Sequence, residues 1–170
     1  YSEAARLAFA DRAAYVGDPD FVQAPGGDWR SLLAPGYLLE RSRLIGPQRM
    51  PAAAAGQPAP LRMGYAPMPP QPEYGTSHIS IIDKDGNAVA MTTTIEAAFG
   101  SRQMVKGFML NNELTDFSFT PTDASGQPIA NSVQPGKRPR SSMSPTLVFD
   151  RNSGQLLASV GSPGGAAIIH

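Results

Sequence analysis

The chain has 170 residues, fourteen Lys plus Arg against fourteen Asp plus Glu, and no cysteine. That length suits one ordinary domain with a hydrophobic core, and the charges balance locally, seven of each sign on either side of the Gly75-Thr76 bond, so the basic face of a nucleic-acid binder is missing. Without cysteine there is no disulfide framework, thiol nucleophile or cysteine-held zinc or iron-sulfur site; His78 and His170, the two histidines, are too few for a multi-histidine metal site. No cofactor is implied.

Tyr1 to Val16 is alanine-rich, with Ala5, Phe9 and Arg12/Ala13 one turn apart, plus Leu7 and Ala8, and predicts an amphipathic helix ending at Gly17-Asp18-Pro19. Loop follows to Gly36, with a possible short helix over Trp29 to Leu33, and a second helical segment runs from Tyr37 to Ile45. From Pro51 to Pro72 there are seven prolines and one charge, Arg62. Neither helix nor ladder survives that density, so an extended, exposed strap is expected. It is either an interdomain linker or a flexible lead-in to a processing site. No run reaches the roughly 18 to 20 apolar residues that span a bilayer. The chain opens on Tyr1 rather than Met and stops at His170 as an apolar run begins; it is expected to be the middle of something longer, and its own residues leave localisation unknown.

After Gly75 the period becomes two. Ser77 to Asp83 and Ala88 to Ile95 alternate, and Asp83-Lys84-Asp85-Gly86-Asn87 between them reads as a type I turn closed by a left-handed glycine, so the two runs form a hairpin. Pairing Asp83 with Asn87 sets His78 opposite Thr92 and Thr76 opposite Thr94, within hydroxyl hydrogen-bonding reach. Phe108 to Asn112 is a short strand, Glu113 to Phe117 a turn, and Thr120 to Arg140 a polar loop. Ser144 to Asp150 and Gln155 to Val160 form a second hairpin. Gly161-Ser162-Pro163-Gly164-Gly165 then leads toward a helix start of the kind that aims backbone N–H groups at an anion.

Each feature alone has an ordinary explanation. Threonine opposite threonine is common in sheets, Gly164-Gly165 makes a tight turn, Glu113 and Asp116 complement a helix start, and Ser141-Ser142 enters a strand. His78 has no triad partner and reads as structural. No phosphate loop, dinucleotide fingerprint or zinc-binding helix motif is present. In order, however, the run Thr76 to Ala90, Thr92-Thr93-Thr94, Leu110 to Glu113, Asp116-Phe117-Ser118, Lys137-Arg138-Pro139 with Ser141 to Thr146, and Gly161 to Gly165 closely resembles gamma-glutamyltranspeptidase, a family of N-terminal nucleophile hydrolases. Ala8 to Phe21 is similar to the end of that family's large subunit.

The resemblance implies an α/β (αββα) sandwich of stacked antiparallel sheets, represented in part. It implies a large-subunit end over 1–75 and the head of the catalytic small subunit over 76–170, separated by self-cleavage at Gly75-Thr76. Thr76 would be the nucleophile, Thr94 its hydroxyl partner, and Gly164 and Gly165 the oxyanion donors. Ser141 and Ser142 would hold the donor's α-carboxylate, Glu113 and Asp116 its α-amine. Glu96 replaces the family's usual asparagine and is expected in the pocket. The implied partners are glutathione or another γ-glutamyl amide, an acceptor amino acid or water, and the rest of both subunits; the implied location is periplasmic or secreted. A sister threonine acylase acting on glutaryl amides and an inactive, unprocessed fragment are the alternatives.

Overall fold

In the computed structural model, residues 1–60, 64–72 and 75–170 are described. They divide into two compact units, one comprising 1–71 and 115–140, the other 72–114 and 141–170.

The first unit begins with helix α1 (Ser2–Tyr15) and, after a 3-10 turn over Trp29–Leu33, helix α2 (Pro35–Ser42). Proline at the first position of α2 costs nothing, because that N–H has no partner within a helix anyway. The face that α1 buries is Leu7, Asp11, Ala14 and Tyr15, which shares Leu7 with the positions named from the sequence but adds a charged residue, Asp11. Its carboxylate accepts from Arg41 Nη2 at 3.1 Å, from the Tyr37 hydroxyl at 2.7 Å and from the Gly56 N–H at 2.8 Å. A buried charge so fully paired can sit where an apolar residue was expected. Burial, followed by the hydrogen bond to Asp11, pushes the Tyr37 hydroxyl above its usual pKa.

The proline-rich strap is extended but not free. Its backbone serves the helices: Ala54 O accepts from Arg41 at 2.7 Å, Gly56 O from the Tyr15 hydroxyl, and the Met68 N–H donates to Ala13 O at 2.9 Å. Ala66 is buried and bridges Ile129. The expectation of an exposed strap is therefore corrected, since proline removes donors but leaves every carbonyl available. Part of the strap, Leu61 to Met63, and the two residues before Gly75 lie outside the described residues.

The segment expected as a polar loop, Thr120 to Arg140, also passes through the core, with Ile129, Ala130 and Asn131 buried. Asn131 donates to Asp116 O at 2.6 Å and accepts from the Arg140 N–H at 3.0 Å. Lys137 donates to Ala130 O at 2.7 Å, and burial lowers its pKa. Asp18 receives Arg138 twice through the guanidinium, at 2.6 and 2.9 Å, and once through the backbone N–H, at 2.8 Å.

The second unit is built from hairpins. Strands β1 (Gly75–Ile82) and β2 (Ala88–Glu96) pair antiparallel; β3 (Met104–Val105) pairs with β4 (Phe108–Met109), and β5 (Thr146–Phe149) with β6 (Leu156–Val160). The β1–β2 turn follows the sequence expectation. The Asp83 N–H donates to Asn87 O at 3.0 Å, Gly86 takes φ 86°, and the Asp83 carboxylate accepts from the N–H groups of Asp85 and Asn87. The polar face of β1 meets β6, where the Ser80 hydroxyl donates to Ser159 O at 3.1 Å. Among the described residues no helix is long and apolar enough to cross a membrane.

Candidate active site

The hairpin register counted from the turn runs from Ile82↔Ala88 to His78↔Thr92 and Ser77↔Thr93, then slips, so that Gly75 faces Glu96. Two residues of β2, Thr94 and Ile95, thus span the position of one residue of β1, Thr76. This is a β-bulge, and Thr76 is not paired directly with Thr94 as the count had it. The cause is local. The Thr94 side chain captures the Glu96 N–H at 2.8 Å, a bond from a hydroxyl to the amide two residues on that competes with the ladder. Glu96 completes the turn in the left-handed region, φ 69°, which a residue with a Cβ enters only at a cost.

The bulge re-aims the hydroxyl. Because the Thr94 oxygen accepts from Glu96, its proton is left for the Gly75 carbonyl, to which it donates at 2.7 Å. The carbonyl of the bond expected to break is thereby polarised by a neutral donor. Thr76, Thr94 and Glu96, with Gly75, Ser77, Thr93, Ile95, Ala97 and Ala98, line one open cleft of about 350 Å³. Thr76 and Thr94 are both half-buried.

Glu113 is brought toward this cleft by side-chain to backbone bonds. Asn112 accepts from the Ala97 N–H at 2.9 Å, the Asn112 N–H reaches Ile95 O at 3.3 Å, and Asn111 accepts from the Glu113 N–H at 3.1 Å. As a result carboxylate oxygens of Glu96 and Glu113 lie within 4.8 Å of each other. Asp116 closes the 3-10 turn that Glu113 opens. Ser141 is exposed and Ser142 half-buried in the extended stretch before β5, and neither lines the cleft. Gly164, φ 137°, and Gly165, φ 57°, open the 3-10 turn Gly165–Ile169 beyond β6 and also lie outside the cleft lining.

Two features escaped sequence reasoning. The left-handed backbone of Glu96 has no signature in its residue type. The setting of His78 was partly legible, because the hairpin count placed it opposite Thr92, but its contact with Gly161 lies across two hairpins and leaves no local pattern.

This architecture is the mixed helix and antiparallel sheet expected from the motifs, with a threonine-lined cleft at a strand start. The family model described as Gamma-glutamyltranspeptidase matches residues 1–170, and the chain belongs to that family. It is 44% identical over 177 residues to a glutathione hydrolase proenzyme of Bacillus subtilis, covering 99% of this chain and 28% of the relative, and 40% identical over 174 residues to that of Pseudomonas aeruginosa, with the same coverage. It is also similar to a solved mutant gamma-glutamyltranspeptidase of Helicobacter pylori, at 45% identity over 54% of this chain and 52% of that one, with a TM-score of 0.42. The chain therefore spans 28% of the length of the curated relatives it matches.

Proposed function

We propose that this chain carries the cleavage site and nucleophile of an enzyme that transfers or hydrolyses γ-glutamyl groups through an acyl-Thr76 intermediate. The observation that carries the reading is the Thr94 hydroxyl held at 2.7 Å from the Gly75 carbonyl oxygen beside Thr76. Self-cleavage starts when the Thr76 hydroxyl oxygen adds to the Gly75 carbonyl carbon. The C–N bond then breaks, the nitrogen takes up the proton and leaves as the Thr76 α-amine, and Gly75 remains as an ester on the Thr76 oxygen. Water hydrolyses that ester, returning the hydroxyl and releasing the Gly75 carboxylate. Thr94 stabilises the oxyanion at the first step in the way a preorganised donor does.

The freed α-amine, with an unperturbed pKa of about 7.7 to 8.0, is a base near working pH, which the amide nitrogen of the uncut chain is not. It takes the Thr76 proton as the oxygen attacks the γ-amide carbonyl of the donor and delivers it to the departing amine. Water or an acceptor amino acid then takes the acyl group. Gly164 and Gly165 N–H groups serve the oxyanion, Ser141 and Ser142 the donor's α-carboxylate, and Glu113 and Asp116 its α-ammonium, with the remaining parts of the large and small subunits completing the site.

The test uses the full-length proenzyme carrying this sequence. Thr76→Ala is expected to leave a single uncut species by intact mass and to abolish release of the anilide from a γ-glutamyl anilide; cleavage and turnover at the unsubstituted level would overturn the reading. The closeness of Glu96 to Glu113 favours a second reading, the same acyl transfer with a different donor. Faster turnover of glutaryl than of γ-glutamyl amides would establish it, since glutaryl donors lack the α-amine that the carboxylates would hold.

A further inference from the structure

His78 lies on the same face of β1 as Thr76, half-buried, and both of its ring nitrogens are engaged: Nδ1 with the Thr92 hydroxyl at 2.9 Å and Nε2 with the Ser80 hydroxyl at 3.1 Å. The direction of these bonds follows from the next one. Ser80 spends its single proton on Ser159 O at 3.1 Å, so it can only accept from His78. Nε2 therefore carries a proton, and Nδ1 pairs with the Thr92 hydroxyl. One chain of hydrogen bonds runs from Thr92 through the imidazole and Ser80 to the backbone of β6.

The ring also occupies space that only a glycine leaves. A Cβ placed on Gly161 would overlap Cε1, Nδ1 and Nε2 of the His78 ring. Gly161 is not among the residues of positive φ, so its backbone would admit any L-residue and the imidazole is what excludes a side chain. Gly161 directly follows β6 and is the root of the loop that carries Gly164 and Gly165. The strand bearing Thr76 is thereby seated against the loop bearing the two oxyanion donors, through a single ring whose orientation is fixed at both nitrogens.

We propose that His78 is a positioning residue for the oxyanion loop, setting the spacing between the Thr76 strand and Gly164-Gly165 through its contact with Gly161. This rests on the function proposed above. Oxyanion donors act in the transition state, so displacing them lowers kcat and leaves KM nearly unchanged.

In the full-length proenzyme, Gly161→Ala is expected to lower kcat about 100-fold, with KM within twofold of the unsubstituted protein. His78→Ser is expected to lower kcat about tenfold, and His78→Gln, which can still donate to Ser80, to recover part of that loss. The decisive measurement is the double variant. With the ring removed the alanine has room, so Gly161→Ala should cost at least tenfold less in the His78→Ser background than alone. Equal costs in the two backgrounds, or losses confined to KM, would overturn the proposal. A readout independent of turnover is hydrogen exchange of the amides between 161 and 165, expected to accelerate at least tenfold in His78→Ser. Unchanged exchange overturns the positioning role even in a protein without activity, whereas accelerated exchange in a protein that neither cuts itself nor turns over γ-glutamyl amides would count against the function and for the positioning role.

Discussion

The two units bury opposite kinds of chemistry. In the unit of 1–71 and 115–140, irregular chain is held by charge: Asp11, Asp18, Arg41 and Lys137 are buried beside Leu7, Phe117 and Ile129. In the unit of 72–114 and 141–170, Ile79, Ile81, Val89, Met91 and Ile95 form an exposed face of the β1–β2 hairpin. The face toward β6 is the one bearing His78, Thr92 and Ser80, linked to one another through the imidazole and to β6 through the Ser80 hydroxyl. An antiparallel sheet with one wet face normally turns its apolar side inward. Here the side packed on β6 is the polar one, so His78, Ser80 and Thr92 are located by directional bonds whose geometry is specific, rather than by apolar packing, which is not directional.

If charge holds the first unit together, Asp11→Ala should break it. Removing one partner of a buried pair leaves Arg41 uncompensated and strands the Tyr37 hydroxyl and the Gly56 N–H, a change that costs about 3–5 kcal/mol. That is a large share of the stability of a domain. In urea unfolding followed by circular dichroism, the midpoint should fall sharply. A shift below about 1 kcal/mol would show that the Asp11 cluster is dispensable and that the apolar residues around it suffice.

In the second unit the corresponding experiment concerns backbone strain. Glu96 holds φ 69° so that its N–H can meet Thr94, and asparagine tolerates that region better than other residues with a Cβ. Glu96→Asn should stabilise the protein by about 1 kcal/mol. Glu96→Gln separates the two contributions, because it removes the charge near Glu113 but keeps the unfavourable backbone. If Gln stabilises as much as Asn, repulsion between the carboxylates, and not strain, is what Glu96 costs.

Legibility in the sequence followed the range of the interaction. The β1–β2 hairpin was readable from alternation and from Asp83 to Asn87, because a turn of this type fixes its own register. The register failed only at Thr94, where a hydroxyl took a backbone donor that the ladder would have used. The helix α1 was legible, but not the place of Asp11 on its buried face, since Asp11 is inner by virtue of Arg41, Tyr37 and Gly56, which come from distant segments. Ala66 and Ile129 were hidden in stretches rich in proline and polar residues, where neither helical nor strand period exists to reveal a buried position. The candidate site residues Thr76, Thr94 and Glu96 emerge in one cleft. Ser141, Ser142, Gly164 and Gly165 were legible as ordered motifs, but spacing along a chain carries no distance between hairpins.

The smallest expected effect concerns acid. Asp18 is held well below the usual carboxylate range, first by the side-chain hydrogen bond from Arg138 and further by the backbone N–H groups of Arg138 and Asp20. A folded pKa below the unfolded value means that the stabilisation is fully present above the ordinary carboxylate pKa, about 3.9, and is lost as pH falls through the depressed folded value. Between pH 7 and pH 5 the Asp18 contribution should therefore be constant, and a stability profile of Asp18→Asn should run parallel to that of the unsubstituted protein over this interval. Below about pH 4 the two should converge, because the carboxylate alone pays a growing cost for staying ionised while asparagine has no proton to gain. Profiles that stay parallel down to about pH 2 would show that the Arg138 pairing does not persist in solution, and would weaken the view that buried charge is what fastens the irregular segments of the first unit.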